Sequence, residues 1–440
     1  QVMLVLLNTM NGYGLASALI RDDEVSDERL RQTLGMLLLL NGGLAVVQFL
    51  SAPLVAAYFE QPMVADLLRV QSLLYFATPF IALPYAILSR EMNFRAPAQV
   101  RLIAAIAGAA TALGCAYAGL GVWTLVIAPF AMFYTEAIGM MIASRAPWRP
   151  VFRFKGARDI AEFGGILTVA QFFWFVQSQS DIVIAGRVLA THDLGIYTTG
   201  LFFAQLLATK FVPPINEVAY AAYSRQRTDG PGPLLKAIQL VMLLALPAYA
   251  GMAVLAEPLV LVLLSEKWAG IVPLLPMLCL AMALLTLQIL FAPATNAAGA
   301  PKVSLRISIL GSIIMPTAFL IGSNWGLQGF AWAWVGAMAI LLTVTVLLSA
   351  RVLRFRLVAV VEAIGPSLTA ASIMAAGVVL LVSQLPLDSD LLRLSVGVAS
   401  GVVLYVATLW ILAPKTLTGI IDLIRNRVDE TALSNPSATA

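Results

Sequence analysis

Charge is the scarcest commodity in this chain. Only 11% of its 440 residues are Asp, Glu, Lys or Arg, against about 25% in a soluble domain. Histidine occurs once, at His192, and cysteine twice, at Cys115 and Cys279. One histidine excludes a histidine-rich metal centre, and a cysteine in each of two distant apolar runs reads as a small buried hydrophobe rather than a bridge or ligand pair. The sequence also lacks a phosphate-binding loop, a nucleophile elbow and any metal-ligand spacing. His192 sits beside Asp193 in a short turn, where Asp193 is expected to cap the following helix. An enzyme is therefore not expected, and neither a resident cofactor nor a metal.

What fills the chain instead is hydrocarbon. Sixty per cent of residues are hydrophobic and the mean hydropathy is +0.90, which places it among integral membrane proteins. About 20 apolar residues cross a bilayer core, and thirteen runs are long enough: 2–20, 33–51, 67–88, 100–118, 122–143, 163–186, 194–218, 234–256, 272–293, 303–321, 327–348, 358–382 and 391–412. The joints between them are too short to hold a soluble domain. A membrane glycan polymerase or ligase would be expected to present a large outer catalytic loop, so that alternative is disfavoured.

Basic residues alternate from joint to joint. Twenty-two of the 27 Lys and Arg fall in one set, from Arg21, Arg29 and Arg31 through Arg145–Arg158 to Lys415, Arg425 and Arg427. The opposite set holds Arg187, Lys267 and Arg393. By the positive-inside rule the rich set is cytoplasmic, as is the C-terminus. The formal charge of +4 thus reports orientation, and no nucleic-acid partner is needed to explain it.

An internal repeat emerges at an offset of about 205 residues. Pro97-Ala98-Gln99-Val100-Arg101 resembles Pro301-Lys302-Val303-Ser304-Leu305-Arg306, Gly119-Leu120-Gly121-Val122-Trp123 resembles Gly326-Leu327-Gln328-Gly329-Phe330, and Asn11 pairs with Asn216. The repeat predicts two pseudo-symmetric six-helix lobes plus two C-terminal helices, with the first helix of the N-lobe absent. Thirteen spans of fourteen are then present. The expected divisions are an N-lobe and linker at 1–158, a C-lobe at 159–350, and two further helices with a cytoplasmic tail at 351–440.

Polar residues inside spans are the functional candidates, because lipid penalises them. Around 161–200, Gln171, Trp174, Ser178, Asp181 and Ala185 share one helical face, and Gln177 lies nearby. Lys210 lies roughly 21 Å below the outer end of its span, with Glu136 at a similar depth on the last helix of the first lobe. The two are expected to pair across the lobes in one conformation, and the alternatives are snorkelling of Lys210 and a local inner ion pair for Glu136. Asp181 is read either as a lumen group or as a partner of Arg187. Arg69, beside Asp66, is a lumen candidate or an interfacial anchor. Asn11 and Asn216 complete the set. Pro79, Pro84, Pro213, Pro214 and Pro247 are candidate hinges or packing bends. The stretch 257–270 is expected along the outer surface, and Trp123, Trp148, Trp325 and Trp410 fit an aromatic belt.

Several stretches then carry a family resemblance. Asn11-Gly12-Tyr13-Gly14-Leu15-Ala16-Ser17-Ala18-Leu19-Ile20-Arg21, Ser89-Arg90-Glu91-Met92-Asn93-Phe94-Arg95, Asp181-Ile182-Val183-Ile184-Ala185-Gly186, Leu194-Gly195-Ile196-Tyr197, Glu257-Pro258-Leu259, Lys267-Trp268 and Ala298-Gly299-Ala300-Pro301 follow the order seen in bacterial polysaccharide flippases of the Wzx type. The resemblance spans nearly the whole chain, and order and spacing give it its force. It implies an all-α polytopic protein of the bacterial inner membrane, in the superfamily of multidrug exporters and lipid II flippases. It further implies alternating access, with a polyprenyl-pyrophosphate-linked oligosaccharide as cargo, membrane lipids and glycan polymerase machinery as partners, and H+ or Na+ coupling. A cation-coupled drug or metabolite exporter on the same fold is the alternative.

Overall fold

The computed structural model describes residues 7, 26–91, 93–153, 158–210, 212, 232–298, 300–385 and 389–412, with 158–168, 170 and 301 described by their backbone alone. These residues are built from helices, as a chain in hydrocarbon must satisfy its own amides. The helices are α1 (Asp27–Tyr58), α2 (Met63–Gln71), α3 (Pro79–Arg90), α4 (Arg95–Tyr117), α5 (Thr124–Ser144), α6 (Arg158–Val188) and α7 (Thr191–Lys210). They continue as α8 (Gly232–Val254), α9 (Ala256–Leu264), α10 (Leu275–Ile289), α11 (Phe291–Ala297), α12 (Pro301–Gly322), α13 (Gly326–Leu353), α14 (Leu357–Gln384) and α15 (Asp390–Leu412). Among the described residues, nine helical segments are long and apolar enough to cross a membrane, and one of them, Lys302–Leu353, is the α12–α13 hairpin broken at Ser323–Trp325. The chain is an all-α, polytopic membrane protein. The first expected span apart from Leu7, and so Asn11, and the stretch holding Pro213, Pro214 and Asn216 lie outside the described residues.

The chain divides into two compact units, Gln1–Gln179 and Ser180–Ala440, so the division falls inside α6. In the first unit, α4 and α5 pack as a hairpin and α5 lies on α3. Tyr75, Leu74, Ala45 and Phe133 form its core beside Leu7. The beginning of the basic linker belongs to this unit: Val151 donates to the Arg31 carbonyl at 2.9 Å, and Arg31 Nε donates to the Arg149 carbonyl at 3.1 Å. Gly35 is required where this strand crosses α1, because a Cβ there would collide with the Val151 carbonyl oxygen.

In the second unit, α10 is the central post, contacted by α7, α8 and α13, while α14 and α15 pack as a hairpin against α8. Two features tie that hairpin to α8. Gly397 lets α15 close onto Leu255. Pro247, inside α8, cannot donate to the carbonyl four residues back, and Tyr405 of α15 donates its hydroxyl to that carbonyl, Leu243, at 2.7 Å.

The 205-residue repeat has a backbone signature. Positive φ occurs at Glu60 (55°) and Ser265 (80°), and at Gly121 (51°) and Gly326 (60°), each pair 205 apart. Helices α5 and α13 both end on a left-handed arginine, Arg145 and Arg354. One long helix in the first unit, α1, corresponds to two in the second, α8 and α9, with Pro53 and Pro258 at equivalent positions.

The candidate hinges differ in kind. Pro79 opens α3 at its first turn, where a missing amide costs nothing, directly after the 3-10 turn Ser72–Phe76. Pro84 and Pro247 are interior to their helices.

Candidate functional site

Helix α6 carries the polar stripe read from the sequence, and the structure grades it. Gln171 and Trp174 are exposed, Ser178 is half-buried, and Asp181 and Ala185 are sealed at 1% and 0% exposure. Gln177, off the stripe, is buried as well. Facing in one direction on a helix therefore does not mean facing one environment.

Asp181 is the chemically distinctive member. It lies about 10 Å from the C-terminal end of α6, taking 1.5 Å per residue back from Val188. Tyr197, six residues into α7, donates its hydroxyl to Asp181 Oδ2 at 2.8 Å. Trp334, eight residues into α13, donates its indole N–H to the Tyr197 oxygen at 2.7 Å. The three side chains reach a common level because each is placed six to eight residues from an end of its helix, the C-terminal end of α6 and the N-terminal ends of α7 and α13.

Around this chain the packing is aromatic. The Phe330 ring lies 5.4 Å from Tyr197, and Phe319 stacks on Phe330 at 6.0 Å and meets Trp334 edge-on at 5.4 Å. Tyr197, Phe319 and Phe330 are fully buried. Asp181 Oδ1 is buried without a hydrogen-bond partner. One hydroxyl donor does not replace the hydration of a carboxylate, so this oxygen is an expensive group to retain in apolar surroundings. Intramembrane carboxylates of this kind mark proton and ion pathways.

In the first unit, Glu136 of α5 forms an ion pair with Arg101 of α4, Oε1 to Nε at 3.2 Å, and the Arg101 guanidinium also lies 4.9 Å over the Tyr85 ring. The local pairing anticipated as the alternative for Glu136 is thus present within its own unit. Lys210 is an exposed residue in the last turn of α7. Arg69 pairs with Asp66 at 3.5 Å and lies 5.7 Å over Phe49, with its side chain 41% exposed, the surroundings of an interfacial anchor. A further buried polar contact joins Thr78 Oγ1 to Asn41 Oδ1 at 2.6 Å.

Sequence reasoning reached Asp181 but missed Tyr197 and Trp334 as its partners. Tyr197 was within reach, as a polar ring in the next helix at a matching distance from the same turn. Trp334, 137 residues beyond Tyr197, had no local signal. Among the described residues no group of three or more His, Cys, Asp or Glu is placed to hold a metal ion.

Comparison with known proteins adds the following. The family described as "Polysaccharide biosynthesis protein" matches residues 1–273. Succinoglycan biosynthesis transport protein ExoT of Rhizobium meliloti is 26% identical over 75% of this chain and 67% of its own length. Lipopolysaccharide biosynthesis protein WzxC of Escherichia coli is 23% identical over 73% of the chain and 67% of its own. Teichuronic acid biosynthesis protein TuaB of Bacillus subtilis is 21% identical over 61% of the chain, which spans only 56% of that relative. Among solved structures, lipid II flippase MurJ in an inward closed conformation superposes with a TM-score of 0.76 at 14% identity, over 94% of this chain and 90% of that one. An inward-facing multidrug resistance transporter of the MATE family gives 0.61 at 16% identity, over 82% and 89%. These last two show the fold alone, the two-lobe helical fold of those structures.

Proposed function

The chain belongs to the polysaccharide biosynthesis protein family, and from that premise we propose that it moves an undecaprenyl-pyrophosphate-linked oligosaccharide from the cytoplasmic to the periplasmic leaflet of the bacterial inner membrane. It is a membrane transporter of polysaccharide biosynthesis rather than an enzyme. The observation that carries the finer reading is the spread of the relatives: succinoglycan, teichuronic acid and lipopolysaccharide differ in their sugars. What such cargoes would share is a lipid-linked diphosphate, and a common fold serves them best by gripping that end and leaving the glycan in a wet space.

The need for a protein follows from solvation. A diphosphate and several sugars cannot cross about 30 Å of hydrocarbon, since each unpartnered polar group costs several kcal/mol there. Alternating access supplies a polar route opened to one side at a time. In this reading the C-terminus is cytoplasmic, as the basic joints indicate. Asp181 is the coupling group: a proton or Na+ arriving at its bare oxygen changes the charge of a sealed site that holds α6, α7 and α13 together.

The test is complementation in bacteria lacking their own flippase, supplied with a matched donor lipid. Surface glycan should return while lipid-linked intermediate on the inner leaflet falls. If the protein is inserted and the intermediate does not clear, the glycan assignment is wrong and cation-coupled drug export is tested next.

A further inference from the structure

The two units carry the same arginine in opposite circumstances. Arg101 on α4 and Arg306 on α12 are 205 residues apart, the offset that also relates Gly121 to Gly326 and Glu60 to Ser265. Each lies about 8 to 9 Å into its helix from the cytoplasmic end. Arg101 is caged, with Glu136 as its counter-charge and Tyr85 beneath its guanidinium. The positions 205 beyond those two cage residues are Leu341 and Leu290, both buried at 0% and 1% exposure.

Arg306 therefore keeps the cation and lacks both elements of the cage. Among the described residues it forms no ion pair or hydrogen bond, and it is exposed. Lys302, one turn earlier on the same face of α12, is likewise exposed and without a partner among the described residues. The repeat offers no counterpart to it, because the position 205 residues earlier in α4 is Pro97.

We propose that Lys302 and Arg306 form an anion subsite at the cytoplasmic end of α12 that engages the diphosphate of the lipid-linked cargo. The assignment rests on the flippase reading above and deepens it. Two cations a helical turn apart match a group carrying several charges on adjacent phosphates, and a planar guanidinium binds phosphate oxygens in pairs. An arginine already closed by a carboxylate and a ring has no such capacity. The asymmetry thus occupies the arginine of the first unit and, among the described residues, leaves that of the second open. The competing source of the same chemistry is the phosphate of bulk anionic phospholipid, which any interfacial arginine attracts weakly and exchangeably.

The experiment separates these sources. Full-length protein in detergent is titrated with undecaprenyl diphosphate and, in parallel, with phosphatidylglycerol, and bound lipid is read by native mass spectrometry. Arg306→Gln should weaken undecaprenyl diphosphate binding at least about tenfold, the loss of one charge-assisted contact, with phosphatidylglycerol unchanged. Lys302→Gln should weaken it as well, while Arg101→Gln should not. Equal diphosphate affinity in wild type and Arg306→Gln overturns the subsite, as does absence of binding to wild type. Equal losses for both lipids reassign the pair to bulk phospholipid and overturn it too. Restored surface glycan by wild type alongside either result leaves the flippase reading standing, so the two fail separately.

Discussion

Pro247 and Tyr405 should behave as a single unit, and a double-mutant cycle measures it. Proline deletes the amide that would meet the Leu243 carbonyl, and the Tyr405 hydroxyl makes up the loss at 2.7 Å from a neighbouring helix. Tyr405→Phe keeps the ring and removes the hydroxyl, which opens the Leu243 carbonyl and, in either background at 247, ends the contact with Ser367. The cost is about 1–3 kcal/mol by the usual penalty for an unsatisfied buried group, and hydrogen bonds within membranes sit at the low end, about 0.6–1.7 kcal/mol. An expected loss of about 1–1.5 kcal/mol follows. With Pro247→Ala in place, the residue at 247 supplies its own amide to Leu243, and the same Tyr405→Phe change should then cost under about 0.5 kcal/mol. The difference, a coupling of about 1 kcal/mol, is read from reversible unfolding in mixed micelles for the wild type, two single variants and the double variant. If Tyr405→Phe costs the same with and without the proline, the hydroxyl is not compensating for the proline and the reasoning fails.

Three further outcomes are expected. Asp181→Asn should abolish or severely slow glycan export while the protein inserts and folds, and Tyr197→Phe should slow export less, since it removes the donor but not the carboxylate. Export by Asp181→Asn at wild-type rate would remove Asp181 from the coupling role. Gly329→Ala should destabilise the α12–α13 crossing by about 1–3 kcal/mol, the usual price of overpacking, because a Cβ there collides with the Gly322 carbonyl oxygen; Gly336→Ala, where a Cβ meets nothing, is the silent control in the same unfolding assay. Replacing Arg101 and Glu136 together by leucine should shift stability by less than about 1 kcal/mol, as the arginine is half exposed and such pairs contribute little. A larger loss in the double variant than in either single would show that the pair does more than neutralise itself.

Hydropathy and the repeat were legible from the residues because each is a property of local runs. The amide groups of any apolar segment have to be satisfied within a helix, so α12 and α13 could be drawn from 303–321 and 327–348 with small errors. Asp181 stood out for the same reason, as a charge in a run that should hold none. Its partners did not, since Trp334 reaches Tyr197 across 137 residues and only the packing of α13 against α7 and α10 brings it there. Glu136 shows the opposite case. Depth alone made it a candidate for an inter-lobe pair, whereas a partner 35 residues away on the adjacent helix claims it.

Composition and periodicity thus determined that the chain crosses the membrane many times and that one half echoes the other. Tertiary structure decided which polar groups are sealed, which are paired and which stay free. Arg101 and Arg306 make the distinction plain. The sequence presents them as the same residue at the same place in a repeat, and what separates them is that Arg101 meets a carboxylate and a ring, whereas Arg306 has neither among the described residues. A side chain's charge is written in the chain, but its availability is set by the groups that folding places within a few ångströms of it.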